Sequence, residues 1–367
     1  MTVRILALVG DAYGARGGIA RYNRDLFGAL AATDTEILVL PRLGAVSGEV
    51  LPDGVRQRPA RFGRLSYSLA ALWAAWRFRP VDIVFCGHVY MAPLAAVLAR
   101  LLGARYWLQT HGVEIWRDRR AIVRRAIEAA DQVTAVSRGT RKHLLGWVDL
   151  APEQVRVLPN TVDERFAPGP ASPALRERLK LGPGPILLTV GRLSAGERYK
   201  GHEFVFAALP ELRTRFPDLI YAVAGEGDDR ARLEARANEQ TGDASAVRFL
   251  GYVPDEDLPD LYRLADLFVM PSSEEGFGIV YLEAAACGLR VIGGAGGGSG
   301  DAIPVGVGTI VDPADQAGLI DAVTRLLGRG RVDPVAIEPY RRPHFANTAR
   351  LLLARLLAQR RRMRDRA

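Results

Sequence analysis

Cysteine is nearly absent: the 367 residues hold two, Cys86 and Cys287, both in apolar surroundings. A disulfide framework or a thiolate metal cage needs more, so the pair is expected as buried free thiols in a reducing compartment. Histidine is also sparse, and His88, His111, His143, His202 and His344 show no metal-ligand spacing. Long apolar runs are missing too. The most apolar helical segments, residues 65–76 and 91–102, fall well short of the roughly 20 residues that a membrane span requires. The opening MTVRILALVGD passes into a charged, glycine-rich stretch too soon for a signal peptide. These absences lead to the expectation of a cytoplasmic protein whose membrane contact, if any, is peripheral. No Asp-x-Asp metal site stands out, because Asp255-Glu256-Asp257 reads as a loop and helix cap. No metal and no cofactor are therefore expected.

What is present is an ordinary globular composition, 49% hydrophobic and 25% charged, in a chain long enough for two domains. The net charge of +8 is unevenly spread along it. Residues 1–168 carry 22 Arg and one Lys against 15 acids, whereas the remainder is balanced at 26 against 26. Within the first half, the run WRDRRAIVRRAI places Arg117, Arg119, Arg120, Arg124 and Arg125 beside Ile122, Val123 and Ile127. Such a basic amphipathic segment suits an anionic membrane surface.

Strand-like apolar runs alternate with helical patterns through most of the chain. Residues 3–9 form a strand pattern, followed by GDAYGARGGIARYNRDL and a helix over 19–30. That is the start of a Rossmann-like unit, although the glycines do not spell the GxGxxG dinucleotide fingerprint. Strands are expected at 36–41, 81–86, 106–109, 133–136 and 155–159, with helices at 65–78 and 92–102. This alternation indicates a doubly wound parallel sheet. The strand at 106–109 delivers Thr110-His111-Gly112 at its carboxyl end, where open α/β sheets bind ligands. Residues 164–184, rich in Pro and Gly, read as a linker. A second domain opens with a strand over 186–191 and then Arg192 and Lys200, two cations suited to a diphosphate.

Residues 271–292, PSSEEGFGIVYLEAAACGLRVI, are the stretch around which the chain is organised. The apolar run Leu267-Phe268-Val269-Met270 leads in as a buried parallel strand, and Gly276-Phe277-Gly278 precedes a helix over 279–287. Free N–H groups at that helix start suit an anionic or hydroxyl-rich ligand. Glu275 and Glu283 lie eight residues apart there. Carboxylates repel phosphate and accept hydrogen bonds from vicinal diols, so a ribose on one acid and a hexose on the other, with diphosphate between, would satisfy every group.

Glu275-x7-Glu283 around GFGIVYLEAAACG resembles the signature of the retaining glycosyltransferases of family 4, which have the GT-B fold. The resemblance covers most of the chain and is strongest over 186–312. It implies two Rossmann-like doubly wound domains facing a cleft: an acceptor-binding domain over 1–168, a nucleotide-sugar-binding domain over 169–338, and a terminal helix over 339–367 that crosses back onto the first. It also implies that Glu275 and the amides of Gly276, Phe277, Gly278 and Ile279 face the donor sugar and that Glu283 holds the ribose. The GR-x7-KG pattern puts Arg192 and Lys200 on the diphosphate, Gly225 and Gly227 line the nucleotide pocket, and Val253 contacts the base. Gly17 and Gly18 meet the donor phosphates, and the His111 imidazole meets the donor sugar. The dense glycine run at 293–300 departs from the family pattern.

The function expected on this basis is transfer of a hexose, with retention, from a nucleotide diphosphate donor to a lipid-linked or glycan acceptor. GDP-mannose is the first choice of donor because the run GIVYLEAAACG resembles mannosyltransferases, with UDP-hexoses as the alternative. Catalysis is assigned to His111, Glu275, Arg192 and Lys200. A UDP-sugar 2-epimerase shares the fold but needs an acid/base cluster that is not evident. A nucleic-acid-binding protein would explain the charge, yet no recognised module supports one.

Overall fold

The structure, a computed structural model, describes residues 2–15, 17–44, 50–116 and 120–364, with side chains through residue 358. Arg16, Arg117, Arg119 and the side chains of the terminal arginines therefore lie outside the described residues. The chain divides into two units, residues 1–161 with 342–367, and residues 162–341.

Unit 1 is a seven-stranded sheet of β1 (Val3–Val9), β2 (Thr35–Pro41), β3 (Val55–Gln57), β4 (Ile83–Cys86), β5 (Arg105–Thr110), β6 (Gln132–Ala135) and β7 (Val155–Val157). Its helices are α1 (Gly18–Ala31), α2 (Arg64–Arg77), α3 (Ala92–Leu102), α4 (Ala121–Glu128) and α5 (Arg138–Leu145). Unit 2 is a six-stranded sheet of β8 (Ile186–Val190), β9 (Ile220–Ala224), β10 (Val247–Gly251), β11 (Leu267–Met270), β12 (Arg290–Gly294) and β13 (Gly308–Val311). Around it run α6 (Pro173–Arg178), α7 (His202–Arg215), α8 (Arg230–Thr241), α9 (Leu258–Leu264), α10 (Ile279–Ala286), α11 (Ser299–Ala302) and α12 (Gln316–Leu326). The last helix, α13 (Arg342–Arg364), returns to unit 1 and packs on α1, where Arg350 donates to the Ala29 carbonyl at 3.0 Å and Phe345 meets the Tyr22 ring edge-on.

Every described strand pairing is parallel. Parallel strands need helical crossovers that cover both faces, so their residues read as continuous apolar runs. β1, β4 and β11 fit this: Leu6, Val84 and Phe268 are all fully buried. The strand order is β3-β2-β1-β4-β5-β6-β7 in one unit and β10-β9-β8-β11-β12-β13 in the other. Each sheet thus reverses direction beside its own first strand, between β1 and β4 and between β8 and β11. Ligands of open α/β sheets bind outside the carboxyl ends at such switch points.

Three expectations change. The proline- and glycine-rich stretch 164–184 is no free linker. It belongs to unit 2, holds α6, and is pinned by Arg263 to the Arg165 and Ala167 carbonyls and by Arg341 to those of Asp163 and Phe166. The seams fall after Thr161 and after Arg341 rather than at 168/169 and 338/339. Charge is also redistributed, because the arginine-rich terminus joins unit 1. That unit holds 30 basic and 14 acidic residues, net +16, and unit 2 holds 19 against 27, net −8. Both cysteines are free and buried as expected, and burial pushes each thiol up to about 12.

Candidate functional site

In unit 2, the loops after β8 and β11 lie side by side at the switch point. The Ser273 N–H donates to the Tyr199 carbonyl at 2.8 Å, and a Cβ on Gly201 would come within 2.5 Å of the Pro271 carbonyl. The loop after β8 carries Arg192 and Lys200, and the structure brings both onto one acid that the sequence reading did not single out. Glu197 lies 2.6 Å from the Lys200 ammonium and also pairs with Arg192. Lys200 is buried and donates a further bond to the Arg192 carbonyl at 3.1 Å, whereas the Arg192 side chain is 79% exposed. The trio carries one net positive charge, and a diphosphate would compete with Glu197 for both cations.

The loop after β11 carries Glu275. Its carboxyl is pushed up to about 6 by burial and by Glu197, against the pull of Lys200 and of the Gly276 and Phe277 N–H groups, which bond to it. Those two amides thus serve the Glu275 side chain itself. The helix N–H groups beyond them, at Ile279 and Val280, open α10 without a side-chain cap and with no acid in its first turn. Gly278 holds the turn at φ 84°, and a Cβ there would sit 2.4 Å from the Tyr281 ring, so only glycine fits. Phe277 is buried, and the Tyr281 hydroxyl bonds the Met270 carbonyl at 2.6 Å, tying the helix back to β11.

Glu283 is buried inside α10, and its Oε2 accepts from the Tyr262 hydroxyl at 3.0 Å. Set among Leu282 and the alanines of α10, the carboxylate has this phenol as a partner. Gly225 and Gly227 are dictated by packing: added Cβ atoms would lie 1.9 Å from the Gly191 carbonyl oxygen and 2.1 Å from that of Leu193. They let the β9 turn press on the loop that holds Arg192. Val253 is buried just beyond β10.

The glycine run at 293–300 acquires a role. Gly293 and Gly294 belong to β12, a Cβ on Gly294 would lie 2.0 Å from the Ser272 carbonyl, and one on Gly296 would lie 1.6 Å from that of Ser273. The Gly298 N–H donates to the Glu275 carbonyl at 2.5 Å. The run is the floor on which the Glu275 loop lies.

In unit 1, the expected residues come from the carboxyl ends of β1 and β5. Gly17 opens α1 at φ 107°, and neither it nor Gly18 has any atom within 4 Å of a notional Cβ, so the space before them is open. His111 follows β5; its Nε2 lies 3.0 Å from the Gly87 carbonyl, and its backbone N–H meets Glu114 at 2.5 Å. Burial lowers the imidazole to about 4, so at neutral pH it is uncharged, with Nε2–H donating to Gly87. Tyr22 packs edge-on against the ring at 5.3 Å. Among the described residues no group of three or more His, Cys, Asp or Glu could hold a metal ion.

The basic segment around α4 is only partly available. Ile127 is fully buried and Arg124 pairs with Glu128 at 2.9 Å, leaving Ile122 and Arg125 outward. Among the described residues no helix is long and apolar enough to cross a membrane.

Residues 172–335 match the family model described as glycosyl transferases group 1, and residues 16–166 match glycosyltransferase family 4. A GDP-mannose-dependent alpha-(1-6)-phosphatidylinositol monomannoside mannosyltransferase of Mycolicibacterium smegmatis is 36% identical over 268 residues, covering 69% of this chain and 68% of that protein. Its namesake in Mycobacterium tuberculosis is 31% identical over 346 residues, covering 88% and 89%. Among solved structures, Anabaena Alr3699/HepE in complex with UDP-glucose superposes with a TM-score of 0.78 over 96% of this chain and 99% of that one, at 19% identity. With two parallel-sheet units, and relatives of this length and identity, the chain belongs to the group 1, family 4 glycosyltransferases of GT-B fold.

Proposed function

We propose that this glycosyltransferase moves mannose from GDP-mannose to a lipid-linked acceptor, with anomeric retention and without a metal ion. The observation that carries the reading is the convergence, at the β8/β11 switch point, of Lys200 and Arg192 with the carboxylate of Glu275 and the uncapped start of α10. Cations and helix N–H groups suit the diphosphate, and an acid ionised at neutral pH suits sugar hydroxyls. The choice of mannose and of a phosphoinositide-type acceptor rests on the two mannosyltransferase relatives.

In this reaction the bond from the anomeric carbon to the leaving phosphate oxygen breaks, and the acceptor oxygen bonds to the same face of that carbon. The acceptor proton passes to the departing phosphate. Lys200, Arg192 and the α10 amides stabilise the charge that collects on the diphosphate as it leaves. Glu283 holds the ribose and Glu275 the donor hexose; in unit 1 the neutral His111 offers a hydrogen-bonding imidazole.

The test is incubation with a panel of nucleotide sugars in a chelator, with and without phosphatidylinositol-type lipid, followed by NMR of the product anomer. Turnover of GDP-mannose to an α-linked lipid product in the chelator is expected. Transfer only with a divalent cation, an inverted product, or turnover of UDP-sugars alone would each overturn the corresponding part.

A further inference from the structure

Glu197 takes no part in the reaction described above, yet it holds both cations that would meet the diphosphate. Its carboxylate lends one oxygen to each, Oε1 to the Arg192 guanidinium and Oε2 to the Lys200 ammonium at 2.6 Å. An arginine and a lysine closed on one group of acceptor oxygens is the way a phosphate is clamped, with the carboxylate here in the anion's place. An acid so placed is an internal competitor for any anion that the pair can bind.

The acid and its main cation are not equally fixed. Lys200 is buried and anchored without Glu197: its ammonium donates to the Arg192 carbonyl at 3.1 Å and packs so close to Gly191 that a Cβ there would lie 2.9 Å from Nζ. Glu197 instead sits at the bend of the short 3-10 segment Ala195–Lys200, where it has the non-helical angles φ −121° and ψ 28°. That segment is tied near both ends. The Ala195 N–H donates to Asp228 at 3.0 Å, and the Tyr199 carbonyl accepts from the Ser273 N–H at 2.8 Å. Rotation at Glu197 therefore moves the carboxylate while Lys200 stays. On its other side Glu197 lines a narrow cavity with Arg198 and Arg232, which share Asp229, so a displaced carboxylate meets positive charge there as well.

Glu197 also acts on Glu275. Burial is the main cause of the raised Glu275 carboxyl, and the Glu197 charge adds to it against Lys200 and the Gly276 and Phe277 amides. Tyr199 is raised by burial and then by both acids, against Arg192. We propose that Glu197 is a positioning residue for the donor diphosphate: it occupies the place of a phosphate on Lys200 and Arg192, yields that place as the donor enters, and retakes it to expel the nucleoside diphosphate product. The proposal rests on the donor reading and adds to it an exchange of one anion for another. A diphosphate carries more negative charge than one carboxylate, which lets it win the cations while it is bound. The carboxylate is tethered beside them, at an effective concentration on the order of millimolar or more, so it returns as soon as the product loosens.

The test uses the full chain as wild type, Glu197→Gln and Glu197→Asp. Calorimetric titration is run with two probes, inorganic diphosphate and GDP, GDP release is timed by stopped flow, and kcat/KM for the nucleotide sugar is measured against pH. Glu197→Gln should bind both probes about tenfold tighter and release GDP about tenfold more slowly. Its acid limb in kcat/KM should move below the wild-type value of about 6, because that limb reports Glu275 in the free enzyme, now without the neighbouring charge. Glu197→Asp, one methylene shorter, keeps the charge but does not span both cations, so it should bind inorganic diphosphate tighter than the wild type and less tightly than Glu197→Gln. Unchanged or weaker diphosphate binding in these variants would overturn the proposal and make Glu197 a brace for its loop. An acid limb of Glu197→Gln that stays near 6 would overturn it too, since a brace leaves that limb where it is. Where Glu197→Gln does not fold, the affinity of Glu197→Asp decides alone. Tighter inorganic diphosphate in the variants, with no nucleotide bound by any of the three proteins, would sink the donor reading and leave the anion exchange standing.

Discussion

At the scale of single residues, Glu275 carries a conflict between stability and use. Its carboxyl, raised to about 6, is ionised at neutral pH at a cost, since a folded-state value above the ordinary 4.5 means that the fold favours the protonated form. Glu275→Gln is therefore expected to raise stability at pH 7 by about 1–2 kcal/mol, and to lower turnover while leaving affinity for bare GDP nearly intact. In the wild type, turnover should fall as pH drops through about 6, as the carboxylate gains a proton and loses an acceptor oxygen. A pH profile and a melting curve on the two proteins check this; a variant both active and less stable would refute it. Glu283→Ala should instead weaken GDP itself by about 1–3 kcal/mol, because ribose hydroxyls lose a charged partner.

The buried histidines give the opposite sign. His202, fully inside unit 2 with Nδ1 3.2 Å from the Tyr221 hydroxyl, is lowered to about 4 by burial first, and then by Lys200 and Arg232 against Asp229 and Glu203. His111 is lowered to the same value. Each is neutral in the fold but takes a proton when unfolded below about 6.5, so the stability that they lend is full above that pH and is lost on acidification towards about 4. Glu275 offsets one of the two between about 6 and 4.5. Chemical denaturation across pH 4–7 should show a net uptake of about one proton on unfolding in that window, and His202→Gln should remove most of it.

At the scale of elements, legibility followed locality. β11 and α3 were readable to the residue, one as a bare apolar run and the other as a periodic pattern closed by Gly103 in the left-handed region. α6 was hidden, because a six-residue helix amid prolines offers too little periodicity to outweigh the linker composition. β12 was half hidden: Gly293 and Gly294 read as loop, and only the Ser272 carbonyl, distant in sequence, shows why a strand must lack side chains there. The candidate site was legible in the same degree. Arg192, Lys200, Glu275 and Glu283 stood out by chemistry and spacing, while Glu197 and Tyr262 did not, since their importance lies in which group the fold sets opposite them. Gly296→Ala tests the role of the floor under the Glu275 loop. Its Cβ would lie 1.6 Å from the Ser273 carbonyl, so the loop must shift, and donor turnover should fall at least tenfold with stability lower by about 1–3 kcal/mol. Gly18→Ala, with open space at its Cβ, should leave stability unchanged; equal destabilisation by both would show that the floor is not under strain.

At the scale of the molecule, the fold creates a charge separation that the linear chain conceals. Reading the sequence by halves gave a balanced second half, but the return of α13 moves its arginines to unit 1 and leaves +16 on one unit and −8 on the other. On the proposed function, a diphosphate donor would approach a unit whose overall field repels it, and the local cluster of Lys200, Arg192 and the α10 start would have to draw it in. An anionic lipid surface meets the reverse situation, a broad positive field with few specific contacts. Exposed charges beyond about 10 Å are screened at 0.1 M salt, whereas short-range pairs at buried groups persist. Raising salt from low to physiological strength should thus weaken vesicle binding steeply and change GDP affinity little. Flotation and calorimetry over the same salt series check the two together. Parallel losses would mean that the donor is also held by long-range field, and that the Lys200 cluster does not do what its burial and geometry suggest.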